Sequence, residues 1–258
     1  MEPPIQWIDA TTPLPDAQRT VSPVPGLVAA GLDLSVSRLE EAYTSGIFPW
    51  FNPGEPVLWW SPDPRTVLFC DELHISHSLA KRLRQISTAQ NAGDFQKAVV
   101  TVDCAFGEVM QACASRGSDD PKATWITPEM KLVYQQWHQL GRVHSVETWL
   151  DGRLAGGLYG VSLGQMFFGE SMFSWRTDAS KIALAHLVRF LQKQGVTVID
   201  CQMTTSHLTS LGAREVTRAD FISHVQRVTK EPSLLWKTGW ISPKGNLDTR
   251  LPDFLAPK

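Results

Sequence analysis

Apolar side chains recur every three or four residues in several segments of the chain, which is the spacing of one face of an α-helix. The clearest case begins at Ser78, where Leu79, Leu83 and Ile86 recur at this interval. The same pattern predicts further helices over residues 37–45, 105–114, 128–141, 179–194, 206–211 and 220–228.

Residues that favour helix ends mark where some of these segments begin and stop. Ser37 and Glu40 have the separation of a capping box at the first helix. Thr127 precedes the helix that starts at residue 128, and Asp178 precedes the longest helix, which Gly195 closes. We therefore expect Ser37, Thr127 and Asp178 to cap the free backbone amides of their helices.

A different period appears between the helices, where β-branched and aromatic residues form short runs typical of strands. The pair Asp151-Gly152 between two of these runs tolerates the positive φ angles of a tight hairpin turn. This mixture predicts an α+β fold, in an order compatible with a GNAT-like acyltransferase. The predicted strands cover residues 97–103, 144–150, 153–162, 165–173 and 196–202.

Proline distribution suggests two parts to the chain. Six prolines within the first 25 residues predict little regular structure there. An aromatic and proline-rich stretch over 47–65 excludes a long helix. We expect a small N-terminal domain over residues 1–65, followed by a domain with a mixed sheet over residues 66–258.

Composition restricts the class of protein. Of 258 residues, 43% are hydrophobic and 19% are charged, which is typical of a globular protein. The formal net charge of −2 requires any contact with RNA to use a local patch. Four cysteines without a C-x-x-C pair predict no disulfide framework. The chain shows neither a secretory signal nor an apolar run of about 20 residues, so we expect a cytoplasmic protein that does not enter a membrane.

Two acids stand out because they lie in apolar strands. Asp200 and Gln202 are two residues apart, which would place both on one face of the last predicted strand. An acid at the end of such a strand either joins a structural network or enters a cleft, and the pattern alone favours the network. Glu170 lies between Phe168 and Met172 on another strand face. It could pair with a buried Arg or Lys, or bind an amino group beside a hydrophobic pocket, and the pattern does not decide between these.

Several familiar motifs lack the surroundings that their chemistry requires. Ser162 lies in a G-x-S-x-G pattern, but a strand rather than a helix follows it, which excludes a nucleophile elbow. Ser78 and Lys81 form an S-x-x-K pattern without its usual companion motifs. The seven histidines lack the spacing of a metal site, and no phosphate-binding glycine loop occurs. The cationic residues of 76–97 could hold RNA phosphates, although the pattern alone favours a solvated helix face.

Ten blocks of sequence, spread over most of residues 26–221, are far more specific than any single motif. The blocks are GLVAAG (26–31) with DLS (33–35), GIFPWF (46–51), LWWSPDPR (58–65), LHIS (73–76), TWIT (124–127), HSVE (144–147), GGLYGV (156–161), FGESMFS (168–174), ASK (179–181) and IDCQ (199–202). In this order they resemble the leucyl/phenylalanyl-tRNA–protein transferase family.

The resemblance implies a small N-terminal domain, a GNAT-like domain and no metal or organic cofactor. It implies a donor that is Leu-tRNA or Phe-tRNA, with Met-tRNA as a lesser donor. The implied acceptor is the α-amine of a protein that begins with Arg or Lys, and the product has a destabilising N-terminus for proteolysis. We expect the chain to act as a monomer.

The resemblance also assigns residues to this chemistry. Asp200 and Gln202 match the catalytic strand, and Glu170 matches the companion acid that orients the acceptor. The donor side chain is expected to lie in a pocket formed by Leu158, Phe167, Met172 and Ile199. The terminal adenosine and the substrate entrance are expected at Trp50, Trp125 and Tyr134. The tRNA acceptor stem is expected to meet Lys81, Arg82 and Arg84.

Two other functions remain open at this point. A GNAT-like fold also serves N-acetyltransferases that use acetyl-CoA, because fold does not determine the acyl donor. Residues 153–158 loosely resemble a glycine-containing pyrophosphate loop. A tRNA-binding module without catalytic activity is the third candidate, and it would bind tRNA in a salt-sensitive manner without forming a peptide bond.

Overall fold

The computed structural model describes residues 4–115 and 126–255 of the chain. Within those ranges it contains two β-sheets and seven α-helices. Every helix predicted from the hydrophobic spacing is present. The α+β class and the mixed sheet are therefore confirmed, whereas the GNAT-like assignment stays a prediction.

The elements have the following bounds. The strands are β1 (Trp7–Ile8), β2 (Leu27–Gly31), β3 (Phe48–Pro49), β4 (Val57–Trp60), β5 (Arg65–Phe69), β6 (Ala98–Val102), β7 (Val143–Leu150), β8 (Arg153–Leu163), β9 (Met166–Ser174), β10 (Val198–Gln202), β11 (Arg214–Val216), β12 (Gly239–Ile241) and β13 (Leu247–Asp248). The helices are α1 (Val36–Thr44), α2 (His77–Asn91), α3 (Phe106–Ala114), α4 (Pro128–Gln139), α5 (Ala179–Lys193), α6 (Ser206–Ser210) and α7 (Arg218–Val228).

The chain before β5 forms a four-stranded sheet in the order β1-β2-β4-β3. A buried arginine, Arg38 on α1, ties the start of the chain to this unit. Its guanidinium donates to the backbone carbonyls of Asp9 and Thr12, at 2.9 Å each. It also pairs with the carboxylates of Asp33 and Glu41. The proline-rich start is thus held by a side chain, since it offers few backbone amides of its own.

The larger sheet has nine strands in the order β11-β5-β10-β9-β8-β7-β6-β12-β13. Among the described strands of this sheet, only β9 and β10 are parallel neighbours. They pair through just two positions, Phe167 with Ile199 and Phe168 with Asp200. Beyond these pairs β9 continues to Ser174 without β10 beside it. The sheet therefore opens between β9 and β10, next to Asp200.

The large sheet carries an apolar cluster on each face. One cluster joins the sheet to α1, α3 and α4 and includes Tyr159, and the other joins it to α2 and α5 and includes Leu158. The first cluster also contains Trp59 from the small sheet, so the two sheets share this part of the core. β5 begins at Arg65 within the large sheet. A domain boundary between residues 65 and 66 stays a prediction.

The turn between β7 and β8 matches its prediction. Asp151 and Gly152 have φ angles of 54° and 68°, as a tight hairpin turn requires. Thr127 caps α4, because its hydroxyl accepts the backbone N–H of Met130 at 3.2 Å. At this turn and at this cap, the residue types of a few adjacent positions were sufficient for the prediction.

Two predicted helix caps are wrong. Ser35 rather than Ser37 caps α1, and its hydroxyl accepts the N–H of Arg38 at 3.3 Å. Asp178 occupies the cap position of α5 but has a φ of 65° and makes no capping hydrogen bond. Instead, Ser174 at the end of β9 accepts the N–H of Ser180 at 2.9 Å. The hairpin that precedes α5 therefore supplies the cap that sequence spacing assigned to Asp178.

Candidate active site

Two β-bulges lie beside the opening between β9 and β10. In the pairing of β9 with β8, Gly169 and Ser171 have partners in adjacent positions and Glu170 has none. In the pairing of β10 with β5, Cys201 is skipped in the same way. A bulge turns a side chain away from the regular alternation of its strand, and bulges are over-represented beside active sites. Both acids singled out in the sequence thus lie at or next to a bulge.

Asp200 is fully buried and forms an ion pair with Arg65 of β5. The guanidinium uses two nitrogens, with Nε 2.8 Å from Oδ1 and Nη2 2.6 Å from Oδ2. Arg65 is 1% exposed and Asp200 is 0% exposed. Charge-assisted contacts of this forked kind are short and fix the orientation of both groups. Asp200 therefore belongs to a buried network, as the pattern alone favoured.

Gln202 is held next to this pair by its backbone. Its N–H donates to Oδ1 of Asp200 at 3.0 Å, and its φ angle of 56° lies in the left-handed region. That conformation is unusual for a residue with a side chain and is found where surrounding contacts enforce it. The amide nitrogen Nε2 is buried without a hydrogen-bond partner. The expected regular alternation of Asp200 and Gln202 is thus interrupted by the bulge at Cys201.

Glu170 is half-buried and lies against two tyrosines. Tyr43 donates its hydroxyl hydrogen to Oε1 at 2.7 Å, and Tyr134 donates to Oε2 at 3.3 Å. The two hydroxyl oxygens also lie 2.5 Å apart. Each hydroxyl has one hydrogen, so the contact between the hydroxyls lacks a hydrogen while both donate to Glu170. All three contacts are hydrogen bonds at once only when a protonated Glu170 donates to one of the tyrosines.

The electrostatic surroundings of Glu170 agree with this protonation. Burial raises the pKa of its carboxyl group from 4.5 to about 8, and the nearby Asp200 carboxylate also raises this pKa. Hydrogen bonds from Tyr43 and Tyr134 and the charge of Arg65 act in the opposite direction, but they do not cancel the effect of burial. Glu170 makes no ion pair with a described residue, because Asp200 occupies Arg65. It is thus the acid of this site that lacks a cationic partner among the described residues.

The four residues expected to hold the donor side chain do lie together. Register alone accounts for this, because Leu158 of β8 pairs with Met172 of β9, and Phe167 of β9 pairs with Ile199 of β10. All four belong to the apolar cluster shared with α2 and α5, where Met172 is half-buried and the others are buried. The cluster adjoins the opening between β9 and β10.

The three residues expected near the terminal adenosine have different surroundings. Trp50 is 39% exposed and meets the edge of Trp60, with ring centroids 5.9 Å apart. Tyr134 is fully buried, and its hydroxyl contacts Glu170 and Tyr43. Trp125 lies outside the described residues. Trp50 has the exposure that a base-stacking residue requires, whereas Tyr134 lies behind Glu170.

The cationic residues of α2 project into solvent. Lys81, Arg82 and Arg84 are exposed and make no ion pair with a described residue. Leu79 and Leu83 on the opposite side of the helix are buried in the same apolar cluster as Leu158. This surface is thus on the face of the sheet that carries the expected donor pocket.

Sequence reasoning missed Arg65 and Tyr43 as parts of this site. Arg65 contacts Asp200 across 135 positions of the chain, and Tyr43 contacts Glu170 across 127. No local spacing could indicate either contact. A weak signal was available for Arg65, since a buried acid in an apolar strand requires a cationic or hydrogen-bonding partner.

Neither a metal cluster nor a membrane span is found in the part of the chain that the structure describes. Those ranges contain no group of three or more His, Cys, Asp or Glu residues that could hold a metal ion. No helix among residues 4–115 and 126–255 is both long enough and apolar enough to cross a bilayer.

Comparison with known proteins identifies the family. The family model for leucyl/phenylalanyl-tRNA protein transferase matches residues 67–226, and the model for the N-terminal domain of the same family matches residues 32–63. A leucyl/phenylalanyl-tRNA–protein transferase from Bordetella avium is 53% identical over 94% of this chain and 96% of its own length. The one from Laribacter hongkongensis is 52% identical, over 90% of this chain and 96% of its own.

These matches make the chain an enzyme of the aminoacyl-tRNA–protein transferase class. The two family models that match it and the relatives above all carry the name of one family within that class. The chain belongs to the leucyl/phenylalanyl-tRNA–protein transferase family.

Solved structures add little to this conclusion. L-PGS from Bacillus licheniformis is 11% identical over 69% of this chain and 54% of its own, with a TM-score of 0.33. That score is too low to support the GNAT-like assignment or to oppose it.

The raised pKa of Glu170 predicts how protein stability depends on pH. The folded chain holds a proton on Glu170 up to about pH 8, whereas the unfolded chain releases it near pH 4.5. The free energy of unfolding of the wild type should therefore fall relative to Glu170→Gln as pH rises from 4.5 to 8, and the difference should level off above that range.

Denaturant unfolding at several pH values measures this difference. We expect a change of more than about 1.4 kcal/mol, which corresponds to one pKa unit. The exposed substitution Glu231→Gln controls for the loss of one acidic charge. A wild-type-to-Glu170→Gln difference that stays constant across this range would show that Glu170 has an ordinary pKa.

Proposed function

We propose that the chain transfers leucine or phenylalanine from aminoacyl-tRNA to proteins with N-terminal Arg or Lys at the opening between β9 and β10. The observation that carries this location is a half-buried acid, Glu170, which has hydroxyl donors but no ion-pair partner in the described part of the chain. It lies beside the buried Arg65–Asp200 pair, and the apolar cluster shared with α2 and α5 lies on the other face of the sheet at the same opening. The opening thus offers surroundings for an amine nucleophile at Glu170 on one face of the sheet and for an apolar acyl group at the cluster on the other.

The reaction requires alignment more than activation, because an aminoacyl ester is already reactive. The acceptor's neutral α-amine attacks the ester carbonyl carbon, the new C–N bond forms, and the C–O bond to the terminal adenosine breaks. The amine loses one proton, and the departing ribose oxygen gains one. We propose that the neighbouring 2′-hydroxyl of the adenosine relays this proton.

Asp200 acts in this scheme by holding Gln202. Both of its oxygens are engaged by Arg65, and Oδ1 also accepts the backbone N–H of Gln202. Gln202 then presents a buried side-chain N–H group that has no hydrogen-bond partner among residues 4–115 and 126–255. An amide is a poor base but a good hydrogen-bond donor. We assign it to the oxygen of the reacting ester rather than to proton removal.

Glu170 orients the acceptor. Free α-amino groups titrate near pH 7.7–8.0, close to the value of about 8 for Glu170. Proton exchange between the two groups is therefore nearly balanced in free energy. The ionised form of Glu170 matches the charge of the acceptor's N-terminus, and its protonated form can release the neutral amine.

The donor side chain occupies the apolar cluster formed by Leu158, Phe167, Met172 and Ile199. Such a cluster favours leucine and phenylalanine and also accommodates methionine as a lesser donor, because size alone discriminates weakly among apolar groups. The exposed residues Lys81, Arg82 and Arg84 bind acceptor-stem phosphates, and Trp50 stacks on the terminal adenosine with Trp125 and Tyr134 nearby.

The remaining expectations concern the setting of the reaction. The parallel pair β9–β10, which separates after two positions, supports a GNAT-like arrangement. Matches of the two family models to residues 32–63 and 67–226 support domains over 1–65 and 66–258. We propose that the chain works as a cytoplasmic monomer without a cofactor, and that its products carry a destabilising N-terminus for proteolysis.

Substitution of Asp200 tests the proposed centre. In an assay with labelled Leu-tRNA and a peptide that begins with Arg, the wild type should label the peptide, and labelled acetyl-CoA should not. Asp200→Asn removes the charge that aligns Gln202, and kcat/KM should fall about 100-fold or more. The exposed substitution Asp253→Asn is the matched control and should retain full activity.

Two outcomes would contradict this assignment. Labelling only from acetyl-CoA would favour the acetyltransferase alternative, and binding of tRNA without labelling would favour the non-catalytic module. Full activity of a folded Asp200→Asn variant would move the chemistry away from β10.

The cationic face of α2 is tested by replacing Lys81, Arg82 and Arg84 with alanine. Affinity for Leu-tRNA should fall at least tenfold, and the slope of log K against log salt should become shallower by about one for each phosphate that is no longer neutralised. The chemical step at saturating tRNA should change little. A control triple variant, Lys193→Ala with Lys230→Ala and Lys237→Ala, removes the same charge elsewhere. Equal affinities of the two triple variants would leave α2 as a solvated surface.

A further inference from the structure

Both acids of the proposed centre are held by residues that precede position 66. Arg65 forms the forked ion pair with Asp200, and Tyr43 of α1 donates its hydroxyl to Glu170. The family model for the transferase region begins at residue 67. Each acid therefore has one of its contacts from outside the region that carries the acids, in addition to those from Tyr134 and Gln202 within it.

The orientation of Arg65 is determined on every side. Its guanidinium lies between the rings of Phe48 and Phe221, with its carbon atom 4.7 Å and 4.4 Å from the ring centroids. The remaining nitrogen, Nη1, donates to the backbone carbonyl of Gly46 at 3.2 Å. A planar guanidinium can stack and fork at once, which a lysine ammonium cannot do. Neutralising Asp200 requires only a positive charge. The stacked and forked geometry of Arg65 also fixes the orientation of the Asp200 carboxylate.

The carbonyl that anchors Arg65 is itself fixed. Gly46 follows α1 with a φ of 74°, and a Cβ atom there would lie 2.8 Å from the side chain of Ile222. A residue with a side chain would be strained by this φ and would displace Ile222 of α7. Gly46 thus places its carbonyl at a position set by both α1 and α7.

Tyr43 lies on α1 one turn before Gly46, and it is fully buried. Its ring meets Phe168 edge-on at 5.1 Å between centroids, and its hydroxyl contacts Glu170 and Tyr134. Phe168 is the residue of β9 that pairs with Asp200 of β10. The end of α1 therefore touches β9 at the level where β9 and β10 separate.

We propose that Tyr43, Gly46, Phe48 and Arg65 form a clamp that sets the relative position of Asp200 and Glu170 for the transfer reaction. Arg65 and Tyr43 are positioning residues, because neither needs to touch the substrate. Arg65 acts through Asp200 on Gln202, and Tyr43 acts on Glu170. The inference rests on the proposed function, since it assigns a task to residues that hold the acids of that reaction.

Tyr43→Phe separates positioning from packing, because it removes one hydroxyl and keeps the ring. The titratable and charged groups around Glu170 are Tyr43, Tyr134, Tyr159, Asp200 and Arg65. Loss of the Tyr43 hydrogen bond should raise the pKa of Glu170 by about one unit. The pH profile of kcat should shift upward by the same amount, with KM for Leu-tRNA within twofold of the wild type.

Tyr159→Phe provides the matched control. Tyr159 is buried on the same face of the sheet, and its hydroxyl makes no hydrogen bond to any residue that the structure describes. The control should leave the profile of kcat unchanged. A Tyr43→Phe variant with lowered thermal stability and an unshifted profile would assign Tyr43 to packing alone and overturn its place in the clamp.

Arg65→Lys tests the contact of the clamp with Asp200, because it keeps the positive charge and loses the two-nitrogen contact with the carboxylate. We expect kcat to fall at least 100-fold with KM within threefold. In the Asp200→Asn background the same substitution should cost less than threefold, since Arg65 acts through Asp200. Equal losses in both backgrounds would show that Arg65 acts independently of Asp200 and would overturn its place in the clamp.

Failure of the clamp and failure of the proposed function give different results. Wild-type transfer of labelled leucine to an Arg-starting peptide is measured first, and its absence would refute the function. If the wild type is active, an unshifted pH profile of folded Tyr43→Phe together with full kcat of folded Arg65→Lys would refute the clamp. If Arg65→Lys does not fold, the profile of Tyr43→Phe decides the proposal.

Discussion

The buried ion pair between Arg65 and Asp200 is the contact on which the rest of the site depends. Removing one partner of such a pair leaves a buried charge uncompensated and typically costs about 3–5 kcal/mol. A well-packed apolar pair could stabilise the fold as well, so stability alone does not explain the charges. The geometry that the charges impose explains them better. Asp200 holds the backbone of Gln202 in a left-handed conformation. In that conformation the side-chain amide of Gln202 is buried without a partner among the described residues.

The neighbouring acid shows the opposite use of burial. Asp200 has Arg65 as its counter-ion, and Arg65 is then not available to Glu170. Glu170 consequently has tyrosine hydroxyls around it and a pKa raised by burial to about 8. One cation that pairs with only one of two nearby acids thus gives the two acids different electrostatic surroundings. This division suits a reaction that must bind an ammonium group and release a neutral amine.

Much of this arrangement could be predicted from the sequence, within a limit set by distance along the chain. The Asp151-Gly152 hairpin and the Thr127 cap were correct because each depends on a few adjacent residues. Leu158, Phe167, Met172 and Ile199 were correctly grouped, although strand register is what brings them together. Ser37 and Asp178 were wrong because other serines, Ser35 and Ser174, accept the first free amides of these helices. Arg65 and Tyr43 were missed because their contacts join distant parts of the chain.

The most direct test of the proposed centre is a crystal structure of the protein with a hydrolysis-resistant adenosine that carries leucine in amide linkage at its 3′ position. We predict that the leucine side chain contacts Leu158, Phe167, Met172 and Ile199. We also predict that the carbonyl oxygen of the analogue accepts the Gln202 side-chain amide at about 3 Å. A leucine side chain bound outside the apolar cluster, or a carbonyl oxygen beyond the reach of Gln202, would contradict this assignment.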